Sequence, residues 1–216
     1  MIDEPEVTAG FVAPELREEF PELALAYTVC DVRDGRSPEA VRARLREASN
    51  RFTGGKAVQM RQQPIPWAYR VFFRHIGIDP DEQRTPIEAI ALERMRAGHF
   101  RSTGLVEDAL LLSTLETGVP VLAFDAAALD GALGLRLAHD GEALGEHHPL
   151  AAGQIVIADE QKPLAVLFGE HSGVGGVEKS TRRVALAAIR VAGVPAVSVD
   201  EALWTAAETL STAQTG

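Results

Sequence analysis

Residues 105–125 read LVEDALLLSTLETGVPVLAFD, and the chain changes character in the middle of them. From Val106 the apolar residues fit a helix, with Glu107 and Asp108 in its first turn and Gly118 as its stop. From Val119 the period changes, and VPVLAFD is a short apolar run with the marks of a strand. Upstream, helical patterns dominate: APELREEF (13–20), SPEAVRARLREAS (37–49), PIPWAYRVFFRHIGI (64–78) and TPIEAIALERMRAG (85–98). The second has Val41 and Leu45 on its inner face, and the third places Trp67, Val71 and Ile78 near one face. The fourth opens with Thr85-Pro86-Ile87-Glu88, a capping box with proline in its first turn. One earlier segment, PELALAYTVCDV (21–32), alternates as a strand, and RFTGGK (51–56) reads as a turn.

Downstream, LGLRLAH (133–139), GQIVIADE (153–160) and PLAVLFG (163–169) are short strand candidates separated by Gly, Asp and Pro. A helix over 178–192, a strand AVSV (196–199) and a last helix from Asp200 complete the expectation. Helices in front and a mostly antiparallel sheet behind define an α+β fold. Residues 13–216 read as one domain, and residues 1–12 as a loosely held N-terminus.

Composition narrows the function classes. No apolar run approaches the ~18 residues of a membrane span, and MIDEPEV lacks the pattern of a signal peptide, so a cytoplasmic protein is expected. A single cysteine, Cys30, excludes an intrachain disulfide and a Cys-rich zinc site. The net charge of −10 argues against a nucleic-acid partner, and no DNA is expected, but the charge is unevenly spread and compatible with RNA touching one face. Residues 1–22 carry seven acids and one base, whereas residues 178–192 carry four bases and one acid.

The chemistry-bearing stretch is GEHSGVGGVEKST (169–181), between PLAVLF and RRVALAAIRVAG. It is one residue short of the P-loop pattern, and Glu178 stands where that pattern needs glycine, so nucleotide binding is rejected. Cys30 lies in an alternating strand with no histidine near it in sequence, which fits a buried thiol rather than a nucleophile. His139, His147, His148 and His171 show no metal-ligand spacing, so neither metal nor cofactor is expected. His171 beside Ser172 has no G-x-S-x-G elbow around it. What remains is a glycine-dense loop with His171, Ser172, Lys179, Ser180 and Thr181 at an expected helix N-terminus. It suits a small anionic or carbonyl-bearing ligand or a plain connection.

From Trp67 to about Ile189 the chain resembles the B3/B4 domain, the editing module of the phenylalanyl-tRNA synthetase β subunit. The likeness rests on the order of W-x-x-Y-R…GIDP, RTPIEAIALER (84–94), LVEDALLLSTLETGVPVLAFD, LGLRLAHDGEALG (133–145), GQIVIADE and the glycine loop before T-x-x-V-A-L (181–186). The resemblance implies a pocket that takes the amino-acid moiety of a mischarged tRNA while water hydrolyses the ester. It implies aminoacyl-tRNA, or a free amino acid, as partner. His171, Ser172, Gly173, Gly175, Gly176, Lys179, Ser180, Thr181, Ser113 and Asp125 would line the ligand site, with backbone N–H groups of Gly173, Gly175 and Gly176 toward the oxyanion. Arg70, Arg74, Arg94, Arg96, Arg182 and Arg183 would be where RNA approaches. Three positions depart from the family pattern. Leu122 replaces the histidine of P-M-H-A-F-D, Ala187 replaces the glutamate of A-L-E, and Val106-Glu107-Asp108-Ala109-Leu110 lacks the asparagine of V-D-x-x-N. In the family the first two help to recognise a tyrosine. A non-catalytic small-molecule binder on the same fold is the alternative.

Overall fold

The structure, a computed structural model, describes residues 5–33, 35–145, 148–169 and 176–213. In chain order it comprises β1 (Thr8–Ala9), β2 (Phe11–Val12), α1 (Pro14–Glu19), β3 (Ala24–Asp31), α2 (Glu39–Arg51) and α3 (Gly54–Met60). Then come α4 (Pro64–His75), α5 (Pro86–Ala97), α6 (Leu105–Thr117), β4 (Val121–Asp125), β5 (Gly134–Leu137) and β6 (Ala143–Leu144). β7 (His148–Pro149), β8 (Ile155–Ala158), β9 (Pro163–Val166), β10 (Arg183–Arg190) and α7 (Ala196–Thr212) finish it. The fold is α+β, and its pairings are antiparallel apart from β2 with β5.

Two four-stranded sheets divide the work. The first has the order β1-β3-β10-β4, and the second β2-β5-β8-β9. The chain steps from one to the other at Gly10, between β1 and β2. A Cβ there would lie 2.5 Å from the Leu133 carbonyl oxygen and 2.6 Å from Leu25 Cδ2, so only glycine lets the sheets approach this closely. Residues 8–12 therefore are not a loose terminus; they stitch both sheets together, and Gly10 N–H donates to Leu25 O at 2.8 Å. Leu25 Cδ2 beside Leu133 also tells which face of the first sheet looks toward the second. By the pleat, Tyr27, Val29, Ala185 and Ala187 share that face with Leu25.

β10 is the main correction to the sequence reading. Residues 183–190 form the strand between β3 and β4 instead of a helix. Val184 through Ile189 are fully buried, so neither face is polar and no period distinguishes strand from helix. The error carries over to AVSV, which is the first turn of α7 and not a strand. RFTGGK is likewise not just a turn: Thr53 Oγ1 accepts the Lys56 N–H and starts α3.

The front helices follow expectation more closely. In α5 the Thr85–Glu88 capping box is formed, and Gly98 ends the helix at φ 80°. Val41 and Leu45 of α2 are buried as expected. In α4 the buried face is Ala68, Tyr69, Phe72 and Phe73, whereas Trp67 is 49% exposed, with the Arg74 guanidinium 5.8 Å from its ring. Tyr69 OH donates to Ile189 O at 2.7 Å, anchoring α4 on β10; burial pushes its phenol well above the ordinary range.

Candidate functional site

The register of the first sheet builds the site. Ala187 pairs with Tyr27 on one side and Leu122 on the other, and Ala185 pairs with Val29 and Phe124. Pairs in register point to the same face, so these six side chains form two adjacent rows on the face turned to the second sheet. The middle of this floor is buried under neighbouring elements, but Val29 is 38% exposed and Tyr27 and Leu122 are half-buried. Two of the three departures noted in the sequence, Leu122 and Ala187, are thus direct cross-strand partners. The floor is apolar: Tyr27 alone brings a polar side-chain atom to it.

Where β4 ends and β10 begins stands a polar node. Thr181, only 2% exposed, donates from Oγ1 to Asp125 Oδ2 at 2.7 Å and accepts the Glu178 N–H at 3.0 Å. Asp125 Oδ1 accepts the Ala127 N–H at 2.9 Å, which starts a turn of 3-10 helix over Ala126–Ala128. The sequence reading chose Asp125 and Thr181 separately, and the fold brings them together. Thr181 N–H also returns to Glu178 O at 3.0 Å, so residues 178–181 form a closed turn. This turn leads into a strand, which corrects the expectation of a helix N-terminus at Lys179, Ser180 and Thr181. Gly176, Lys179 and Ser180 are exposed. His171, Ser172, Gly173 and Gly175 lie outside the described residues, as does His147.

Ser113 is elsewhere. It is fully buried in α6, and its Oγ donates to Ala202 O of α7 at 2.6 Å, locking two helices together instead of lining a ligand site. Ser113→Ala is expected to lower stability by about 1 kcal/mol while leaving ligand affinity unchanged. Chemical denaturation and binding measured on the same preparation check both halves.

The arginines divide in the same way. Arg70 is buried and held by Glu88 at 2.6 Å and Asp81 at 2.8 Å, so it is part of the core and not open to RNA. Arg94 donates from Nε and Nη2 to Ser49 O and lies over the Phe100 ring, a helix-packing role. Arg74 and Arg96 are exposed. Arg182 wraps back onto the carbonyls of Lys179, Ser180 and Thr181, and Arg183 sits at an exposed strand end, 3.8 Å from Asp31. Cys30 is partly buried, and that burial, with Asp31 adding, pushes its thiol up to about 11, so it stays protonated near neutrality. Among the described residues no group of three or more His, Cys, Asp and Glu is placed to hold a metal ion. No described helix is long and apolar enough to cross a membrane.

The sequence reading missed Tyr27 and Val29 as floor residues, because the strand order joins β3 to a strand more than 150 positions downstream. Alternation within β3 was the one available signal.

Part of this chain, including β4 and β10 but not β3, is similar to known proteins. The family model of the B3/4 domain matches residues 68–202, well over half of the chain. The phenylalanine–tRNA ligase beta subunit of Methylococcus capsulatus is 43% identical over 91 residues, covering 39% of this chain and 12% of that protein. The same subunit of Yersinia pestis is 43% identical over 101 residues, covering 44% of this chain and again 12% of the relative. The matched region thus spans about an eighth of these relatives. An N-terminal fragment of the phenylalanyl-tRNA synthetase beta subunit from Pyrococcus horikoshii aligns with a TM-score of 0.44 at 13% identity, over 94% of this chain and 48% of that one.

Proposed function

The chain belongs to the B3/4 domain family, and from that membership we propose that it binds the aminoacylated end of a tRNA and hydrolyses the ester of a wrongly attached amino acid. What supports this most is the match of the B3/4 domain model over residues 68–202. Leu122 and Ala187, two of the three departures from the synthetase editing pattern, pair on the face against which, in this reading, the amino-acid side chain lies.

In this reading the floor sorts substrates by shape and polarity. Leu122 and Ala187 offer no partner to a tyrosine hydroxyl, so one buried against them and out of reach of the Tyr27 hydroxyl loses its hydrogen bonds to water without replacement. An apolar side chain fits better, with a difference of one methylene worth about 1–3 kcal/mol. Hydrolysis adds water to the ester carbonyl carbon, breaks its bond to the ribose oxygen and returns the proton to that oxygen. The ester is already activated, so the protein's part is positioning and N–H donors toward the oxyanion, each donor worth roughly 2.7–4 kcal/mol. We assign that part to the backbone of the glycine-rich connection, including Gly173, Gly175 and Gly176, with no metal.

The test is deacylation of a panel of correctly and wrongly charged tRNAs, D-amino-acid esters included. Selective release from a species carrying an apolar amino acid, with tyrosyl esters spared, is expected. Release from none of them removes the hydrolase reading. The absence of any polar side chain at Leu122 and Ala187 favours one second reading, a non-catalytic binder of a free amino acid. Calorimetric binding of an amino acid without retention of tRNA at low salt would establish it instead.

A further inference from the structure

A cavity of about 630 Å³ opens at the end of the first sheet where β3 leaves and β10 arrives, lined by Arg36, Arg42, Lys179, Ser102, Thr103 and Gly104 among others. Its wall is fastened from below by Asp108, which is fully buried and accepts from Ser37 Oγ at 2.6 Å, Ser102 Oγ and the Thr103 N–H at 3.1 Å. Leu105 N–H to Gly35 O, 2.9 Å, ties the same two loops again. The segments that carry the lining are therefore held in place before any ligand arrives.

Three features give this cavity a preference for anions. Arg36, Arg42 and Lys179 converge from two segments far apart in sequence, and neither Arg36 nor Lys179 forms an ion pair among the described residues. Arg42 binds Glu39 through Nη2 at 2.8 Å, yet its Nε is buried with no hydrogen-bond partner among the described residues. That nitrogen is shut off from solvent, so Arg42 meets a ligand in the cavity through the exposed part of its guanidinium, the side chain being 29% exposed. The third feature is α6, whose N-cap, Gly104, is extended and carries no side-chain cap, so the positive end of the helix meets the cavity.

Charge decides which anion. Glu107 also lines the cavity, and Glu39 holds the far side of Arg42. With Asp108 beneath the wall, three cations face three carboxylates and the cavity is close to neutral, which suits a singly charged phosphodiester better than a doubly charged phosphate monoester. Position points the same way. Lys179 stands two residues before Thr181, whose hydroxyl binds Asp125 at the edge of the inter-sheet floor.

We propose that this cavity binds a phosphodiester of RNA, with Arg36, Arg42 and Lys179 as its cationic contacts and the Ser102–Gly104 loop as its hydrogen-bonding wall. The inference rests on the reading that the chain binds aminoacyl-tRNA, and places the RNA backbone beside the floor that receives the amino acid.

The experiment compares the full chain with the double variant Arg36→Gln/Lys179→Gln, both positions being exposed, and with Arg42→Gln. The probe is a minihelix ending in single-stranded CCA. Both variants should weaken binding about tenfold or more. The slope of log K against log salt should become shallower by about 0.7 for each phosphate that the variant no longer neutralises. Equal affinity and slope in all three proteins would overturn the inference and leave the proposed function standing. If the unaltered chain binds no RNA at low salt, the proposed function fails, and inorganic phosphate becomes the probe. Backbone amide shifts confined to residues 36, 42, 102–104 and 179 would then keep the cavity as a phosphate site, and no shift there would overturn it.

Discussion

Glu88→Ala is expected to remove about 3–5 kcal/mol of stability, the usual cost of breaking one side of a buried ion pair. Glu88 is 3% exposed and serves three structures at once. Its Oε2 accepts the Thr85 N–H and hydroxyl, closing the capping box of α5. Its Oε1 takes Arg70 at 2.6 Å and Arg61 at 2.8 Å, tying α4 and the end of α3 to α5. Alanine removes the cap and leaves the Arg70 guanidinium, itself 5% exposed, short of its closest counter-charge. Glu88→Gln should fall between, because the amide oxygen can still accept while the charge is gone. The double variant Arg70→Met/Glu88→Met should recover much of the loss, since apolar replacement of a whole buried pair is often neutral or better. Urea midpoints for the four proteins check the order. A double variant no more stable than Glu88→Ala would mean that the cap, and not the charge pair, carries the energy. By contrast Glu39 meets Arg46 in full solvent, and Glu39→Gln should leave the midpoint unchanged. These stabilities also bear on the functional assays. Loss of RNA binding in an Arg70 variant would report unfolding, because that side chain is committed to the core.

How far the sequence could be read depended on whether a signal was local. The capping box needs four consecutive residues, and Thr85-Pro86-Ile87-Glu88 is legible without knowing what packs nearby. Gly118 stops α6 by its own backbone, at φ 78°, and is as legible. β10 was not, because a central strand buried on both faces loses the alternation that would identify it. Ser113 failed for a related reason. α6 is apolar around most of its girth, so nothing in LVEDALLLSTLET tells which side meets α7. The site divides along the same line. Asp125 and Thr181 were chosen as types suited to a ligand, but their 2.7 Å contact follows from β10 pairing with β4, a 56-residue separation. Arg36 and Arg42 had no local signal at all. Within their own segment they look like solvated charges, and only the arrival of Lys179 beside them makes a site.

Thr181→Val tests whether that long-range contact governs function. Valine keeps the shape and loses the hydroxyl, so Asp125 Oδ2 is deprived of its donor and the Glu178 N–H of its acceptor. Leaving such groups unpaired should cost about 1–3 kcal/mol, which a domain of this size tolerates while folded. The effect on function should be larger. Residues 178–181 carry Lys179 toward the phosphodiester cavity on one side and continue into the floor strand on the other. A displacement of about 1 Å at such a point can reduce turnover by about 10²-fold. Minihelix affinity and deacylation should therefore fall well beyond the loss in stability. Thr181→Ser, which restores the hydroxyl without the methyl, should recover most of both. Asp125→Asn keeps an oxygen for the Ala127 N–H but turns an amide donor, not an acceptor, toward the Thr181 hydroxyl, and should sit between wild type and Thr181→Val. If Thr181→Val lost stability and kept full affinity and turnover, the node would be a brace for the strand ends alone. If it lost function and Thr181→Ser regained it, the hydroxyl that closes the 178–181 turn is what positions this end of the site.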